Sequence, residues 1–108
     1  MAMQPYAATN YTTEDGRPDG GTVAGVGLTI TWQRGAIQEP DGTRHEPNGA
    51  FVETVIDAAR QRIAHYQDSP FACAENAAAL VHLEAALEKL DERTKNREAR
   101  GVEGTHEV

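Results

Sequence analysis

The stretch ACAENAAALVHLEAALEKLDERTKNREAR, residues 72–100, decides how the rest of the chain must be arranged. Asn76, Leu80, Leu83, Leu87, Leu90, Thr94 and Arg97 recur at alternating steps of four and three. That spacing lines them up along one side of a long helix. The middle of the stripe is leucine and must be covered by another helix, because a helix in water has little stability of its own. The two ends are polar, and there a packing surface can give way to a binding surface. Alanines at 72, 74, 77, 78, 79, 85 and 86 raise helix propensity and admit a close neighbour. A helix of this length would run roughly 40 Å.

Immediately upstream, Phe51, Val52, Val55, Ile56, Ala59, Ile63 and Tyr66 form one apolar face. They predict a first helix over Gly49–Gln67, with Asn48 as its cap. Asp68-Ser69-Pro70 ends it, since α geometry is disfavoured before proline, and Pro70 is placed near the first turn of the next helix. So short a connection predicts an antiparallel hairpin. The second helix exceeds the first by about ten residues, so its last turns, Thr94 to Arg100, pass beyond the first helix or bend over its base. Gly101 is its expected C-cap and Val102–Val108 a short tail.

Further upstream, Val26, Leu28, Ile30 and Trp32 alternate with Gly27, Thr29, Thr31 and Gln33, predicting one strand over Thr22–Gln33. Gly25 and Gly27 mark a bulge or close backbone approach. In the linker, Asp41-Gly42 favours a small hairpin joining Ala36–Glu39 to Thr43–Glu46. Residues 1–21 hold no aliphatic residue larger than Met3 and are expected to form a flexible arm. The expected fold class is α+β: an arm (1–21), a small antiparallel β element with linker (22–48), and a long helical hairpin with its tail (49–108). At 108 residues only a modest core is available, so homo-oligomers are expected, paired through the helices and the strand region.

Ten Lys plus Arg against 17 Asp plus Glu give a net charge of −7. Such a field repels polymeric nucleic acid and anionic membrane, without forbidding a local basic pocket. Cys73 is the single cysteine, which fits a reducing compartment. The N-terminal residues lack the charged and apolar regions of a signal peptide, and no run approaches a membrane span.

Arg93, Arg97 and Arg100 share a helix face, with Lys89 and Lys95 nearby. Helix C-termini favour cations, so a solvated or ion-paired helix end accounts for the pattern. Arginine's planar fork equally suits a phosphate. Phe71 and Asn76 flank the helix start, where Phe71 is either a hydrophobic staple or a stacking surface. Asn76 is either an exposed polar residue or a base-reading amide. One chain cannot bring both ends of so long a helix to one ligand, so a shared ligand requires a second chain. His45, His65, His82 and His106 form no close metal pair, Cys73 has no base nearby and reads as a small buried residue, and the glycines lack a nucleotide-loop pattern. No enzyme and no cofactor are expected.

Phe71-Ala-Cys-Ala-Glu-Asn76, with Leu83-Glu84, Ala86-Leu87, Arg93-Thr94, Arg97-Glu98 and Arg100-Gly-Val-Glu-Gly-Thr-His106, resembles the helical-hairpin domain of two phage anti-defence families. One antagonises Thoeris and the other CBASS. The strand, Trp32-Gln33 and Asn48-Gly-Ala-Phe-Val52 look more like the Thoeris branch. The resemblance implies a non-catalytic sponge in the host cytoplasm, a homodimer or homohexamer. It would sequester cyclic ADP-ribose isomers, with cyclic di- or trinucleotides at separate sites. It places Phe71 on the adenine and Asn76 against the ligand. Arg93, Arg97 and Arg100 become candidates for phosphate, with Arg60 or Arg62 as substitutes and Thr105 for the second kind of site. Two other readings stand beside it: an oligomeric phage structural or assembly protein with ion-paired arginines, and a nucleotide-cleaving enzyme.

Overall fold

The computed structural model describes residues 3–108; the first two positions of the expected arm lie outside the described residues. The chain divides into two compact units, Met1–Phe51 with Gly104–Val108, and Val52–Glu103. The architecture is α+β: a small N-terminal antiparallel sheet followed by a two-helix hairpin.

In the first unit β1 (Tyr6–Thr12), β2 (Pro18–Gly25) and β3 (Leu28–Trp32) pair antiparallel in the order β1-β2-β3. This corrects the arm expected over residues 1–21, which instead holds β1 and the start of β2. Every residue of β1 is exposed. Backbone pairing to β2 holds it rather than a buried aliphatic row, so it carries no period-two apolar signal. The glycines that make the segment look irregular serve the pairing: a side chain on Gly21 would collide with Thr9 O and the Asn10 backbone.

The single strand expected over Thr22–Gln33 is likewise corrected. It is broken by a tight turn at Val26-Gly27, where Gly27 has φ 72° and Val26 is 81% exposed. Leu28, Ile30 and Trp32 lie opposite Gly25, Val23 and Gly21, which in turn face Tyr6, Ala8 and Asn10. One sheet face is therefore the apolar one, and the register irregularity falls between Asn10 and Thr12 rather than at Gly25 or Gly27.

The small hairpin forms as expected. Glu39 N donates to Thr43 O (2.8 Å), His45 N to Ile37 O (2.8 Å), and Gly42 turns at φ 89°. The Thr43 side chain and amide hold the Asp41 carboxyl below its usual range. The contact is thus present at neutral pH and is lost as acid titrates the carboxylate.

Asn48 is not a helix cap. Its side chain accepts from Arg34 N (2.8 Å) and donates to Arg34 O (2.9 Å), while Asn48 N donates to Gln33 Oε1 (2.9 Å). The amide thus imitates a strand neighbour beside the end of β3. Asn48→Ala should lower stability by about 1 kcal/mol, read by chemical denaturation. The C-terminal residues also belong to this unit: Gly104 O accepts from Ile37 N (2.9 Å) and Gln38 N (2.8 Å). Arg17 Nη1 donates to His106 O (2.9 Å), and His106 Nε2 donates to Pro18 O (2.9 Å).

The second unit is α1 (Val52–Gln67, 16 residues) and α2 (Ala74–Ala99, 26 residues). Both lie within three residues of the expected bounds, because the leucine stripe and the facing apolar row are strong periodic signals. Pro70 sits in the turn and not in the second helix: Ala72 N donates to Ser69 O (3.1 Å), leaving Pro70 at the turn position its fixed φ suits. The Gln67 side chain brackets Cys73, accepting from its N (3.0 Å) and donating to its O (3.1 Å). Cys73, the N-cap residue, is exposed rather than buried. Among the described residues no apolar side chain is buried, and the one buried polar side chain is that of Arg97.

Candidate functional site

Phe71, Asn76 and Arg62 gather at the closed end of the hairpin. Ser69 Oγ accepts from Phe71 N (3.1 Å) and donates to Tyr66 O (2.5 Å), and so fixes the turn. The Phe71 ring is 76% exposed. A staple against the first turn of α2 would have covered it, so the exposed ring is not a staple. Asn76 Nδ2 donates to Phe71 O (3.4 Å), a long bond that ties the amide to the turn bearing the ring. Arg62 lies on α1 roughly 8 Å before its end by helical rise. Its guanidinium stands 5.0 Å over the Tyr66 ring and donates from Nε to Tyr66 Oη (3.2 Å). One chain thus offers a ring and an amide tied to one turn, with a cation on the last turns of α1.

The opposite end of α2 is basic, and its cations divide by partner. Lys89 pairs with Glu92 (3.1 Å) and Lys95 with Asp91 (3.0 Å). Asp91 raises the Lys95 pKa, through its hydrogen bond before its charge. These are exposed ion pairs of the helix surface, worth little each. Arg97 is buried against its own C-terminal turn. Its Nε donates to Glu103 Oε2 (3.2 Å) and Nη2 to Val102 O (2.9 Å). Gly101, at φ 73°, lets Val102 N return to Arg97 O (3.0 Å) and Gly101 N to Glu98 O (3.0 Å), a Schellman end. Arg93 and Arg100 are exposed, and Arg93 makes no hydrogen bond or ion pair to a described residue.

The structure therefore splits the expected set. Phe71, Asn76 and Arg62 share one end of the helical unit, and Arg93, Arg97 and Arg100 the other. Asn76 and Arg93 are separated by roughly 25 Å of continuous helix. Thr105 belongs to the β unit, where its Oγ1 accepts from Glu107 N (3.2 Å). Arg60 is taken up by Asp57 (2.8 Å). The residue that sequence reasoning missed is Glu103, whose signal was an acid six positions beyond Arg97 across a capping glycine. Among the described residues no group of three or more His, Cys, Asp or Glu is placed to hold a metal, and no helix is long and apolar enough to cross a membrane.

Comparison with known proteins meets this geometry at the hairpin. The chain is 44% identical over 84 residues to Thoeris anti-defense 1 of Bacillus phage SBSphiJ7, a match covering 78% of this chain and 56% of that relative. It thus spans little more than half of that protein's length. The family model described as "Acb2/Tad1, hairpin domain" matches residues 26–95, a span holding Arg62, Phe71, Asn76 and Arg93 but ending before Arg97. These two matches place the chain in the phage Thoeris anti-defense 1 family, defined by the Acb2/Tad1 hairpin domain.

Proposed function

We propose that this protein is an anti-defence sponge: it captures a cyclic nucleotide immune signal of the cyclic ADP-ribose class in the host cytoplasm and holds it unchanged. The name of its relative, an anti-defence protein against Thoeris, supports the biological role. The observation that carries the chemistry is the exposed Phe71 ring on a turn pinned by Ser69, with Asn76 bonded to that same turn. Such a ring stacks on a base at low ordering cost, and the amide reads the base edge.

Phosphate contacts fall to Arg93 and Arg100, with Arg97 as the strut that fixes their helix end. Because Arg93 lies roughly 25 Å and Arg100 roughly 36 Å along the helix from Asn76, the pocket closes between two chains. Two α2 helices crossing antiparallel near Ala85 bring Arg93 of one beside Asn76 of the other. The absence of any buried apolar side chain among the described residues favours such pairing, and a homodimer is the minimal unit of a dimer-to-hexamer series. Arg62 supplies a further cation at the ring end. Thr105, in the β unit, is assigned to a second site for cyclic di- or trinucleotides such as those of CBASS. Capture without turnover needs no metal or general base.

Calorimetry with cyclic ADP-ribose isomers, followed by recovery of ligand from heat-denatured protein, tests this. Binding with intact ligand is expected; altered ligand would make the protein an enzyme. Phe71→Ala should weaken binding about ten- to a hundredfold, the loss of one base–aromatic stack. Arg93→Ala should weaken it about tenfold. The phage assembly-protein reading draws on the ion-paired Lys89, Lys95 and Arg97. It wins if no isomer binds at micromolar concentration.

A further inference from the structure

Three side chains hold the turn that carries the Phe71 ring, and they hold it unequally. The ring is 76% exposed, so its place is set by the backbone beneath it. Ser69 Oγ takes the Phe71 amide (3.1 Å). Asn76 Nδ2 reaches Phe71 O at 3.4 Å, beyond the ordinary range of such a bond. Gln67, the last residue of α1, grips the N-cap residue of α2 at both backbone atoms. Its Oε1 accepts from Cys73 N (3.0 Å) and its Nε2 donates to Cys73 O (3.1 Å). Cys73 O also accepts from Ala77 N (3.2 Å) as α2 begins. A single planar amide thus ties the end of one helix to the start of the next, as a strand neighbour would. It closes residues 68–72 into a loop, and it is itself partly buried while Phe71, Ala72 and Cys73 are exposed.

We propose that Gln67 is the positioning residue of this turn: its grip on Cys73 keeps the Phe71 ring in its stacking place when Asn76 leaves Phe71 O for the ligand. The proposal rests on the sponge reading, in which Asn76 meets the base. An amide that swings to follow a base edge gives up a bond already 3.4 Å long. Two side chains then remain on the turn. Ser69 fixes it before the ring, at Phe71 N, and Gln67 fixes it after the ring, at Cys73. A loop that must be ordered during binding lowers affinity, and one already ordered does not. Gln67 supplies that order before the ligand arrives. Its amide oxygen and nitrogen are both engaged by Cys73, so it acts through Phe71 and not by touching the ligand.

Gln67→Met keeps the length and helix propensity of the side chain and removes both bonds. Measured well below its melting temperature, it should bind cyclic ADP-ribose isomers about three- to tenfold more weakly than the parent chain. In a Phe71→Ala background it should change affinity little, because no ring is left to place; an equal loss there overturns the proposal. Gln67→Glu at neutral pH still accepts from Cys73 N but brings no proton to Cys73 O. As its carboxyl protonates, near the ordinary value of about 4.3, the donor returns. Its deficit against the parent chain should then shrink, while that of Gln67→Met persists; parallel profiles overturn the grip. A second measurement needs no ligand. Phe71→Trp with Trp32→Phe reports the motion of the ring by fluorescence anisotropy, and adding Asn76→Ala imitates the released amide. Gln67→Met should quicken the anisotropy decay in that background, and an unchanged decay overturns the proposal. If no isomer binds any variant, the sponge reading falls, and the decay alone decides whether Gln67 places the ring.

Discussion

Gly21→Ala should strip β1 from the sheet while leaving the helical unit folded. The new Cβ would lie far inside van der Waals contact with Thr9 O and at 3.1 Å from the Asn10 Cα. Those are backbone atoms of the paired strand, so no side-chain rotation relieves the collision. The backbone must shift, and the β1–β2 pairing around Thr9↔Thr22 and Asn10↔Gly21 goes with it. Gly21 also has φ 154°, outside the range that side chains favour. A cost of about 4 kcal/mol or more is expected, in the range that marks a disrupted core or backbone. Gly27→Ala is the matched control. Gly27 has φ 72° but nothing within 4 Å of a new Cβ, so only the left-handed penalty of about 1–2 kcal/mol applies. Limited proteolysis reads the difference, with rapid cleavage before residue 22 in Gly21→Ala alone. Equal protection of the two variants would show that β1 is not held through this close approach.

The same glycine explains why the sheet is only partly legible in the sequence. Periodicity reports side chains that must be hidden. β3 hides Ile30 and Trp32 partly and reads as a strand. β1 hides nothing, and its stability comes from a ladder to residues about 15 positions away in sequence, which no local window contains. Thr22–Gln33 shows the opposite error. Val26 fits the alternation perfectly well as a letter, yet Gly27 places it in a turn. The helices are legible because a leucine every third or fourth residue has no other use in a chain this polar.

At the site, residue types are legible and their partners are not. Phe71 and Asn76 stand out as a motif, but only the structure separates an exposed ring from a staple. Arg93, Arg97 and Arg100 look equivalent on one face, yet the chain beyond the helix engages them differently. Gly101 turns the backbone so that Val102 O and Glu103 reach the Arg97 guanidinium, while Arg93, a full turn earlier, lies out of range. Asn48 shows the same limit: a good capping residue by type is claimed by the neighbouring strand end through two side-chain bonds to Arg34.

Arg97→Ala should therefore act first on stability. Its side chain is 11% exposed and donates to both a carboxylate and a backbone carbonyl of the turn that ends α2. Removing it takes one donor from Val102 O and leaves Glu103, itself 34% exposed, near a helix C-terminus that disfavours negative charge. One charge-assisted contact contributes about 1.5–3 kcal/mol, so a fall in melting temperature of roughly 10 °C is expected for a unit of this size. Arg97→Lys should recover little, because an ammonium on a flexible stem does not reproduce the fork that spans the two acceptors. Glu103→Gln should cost less, since the amide still accepts one bond from Arg97. Binding measured well below the melting temperature separates strut from ligand contact. Arg97→Ala should then change affinity by no more than about threefold, against about tenfold for Arg93→Ala. An unchanged melt with lost capture would instead put the Arg97 guanidinium on the ligand and return Glu103 to solvent.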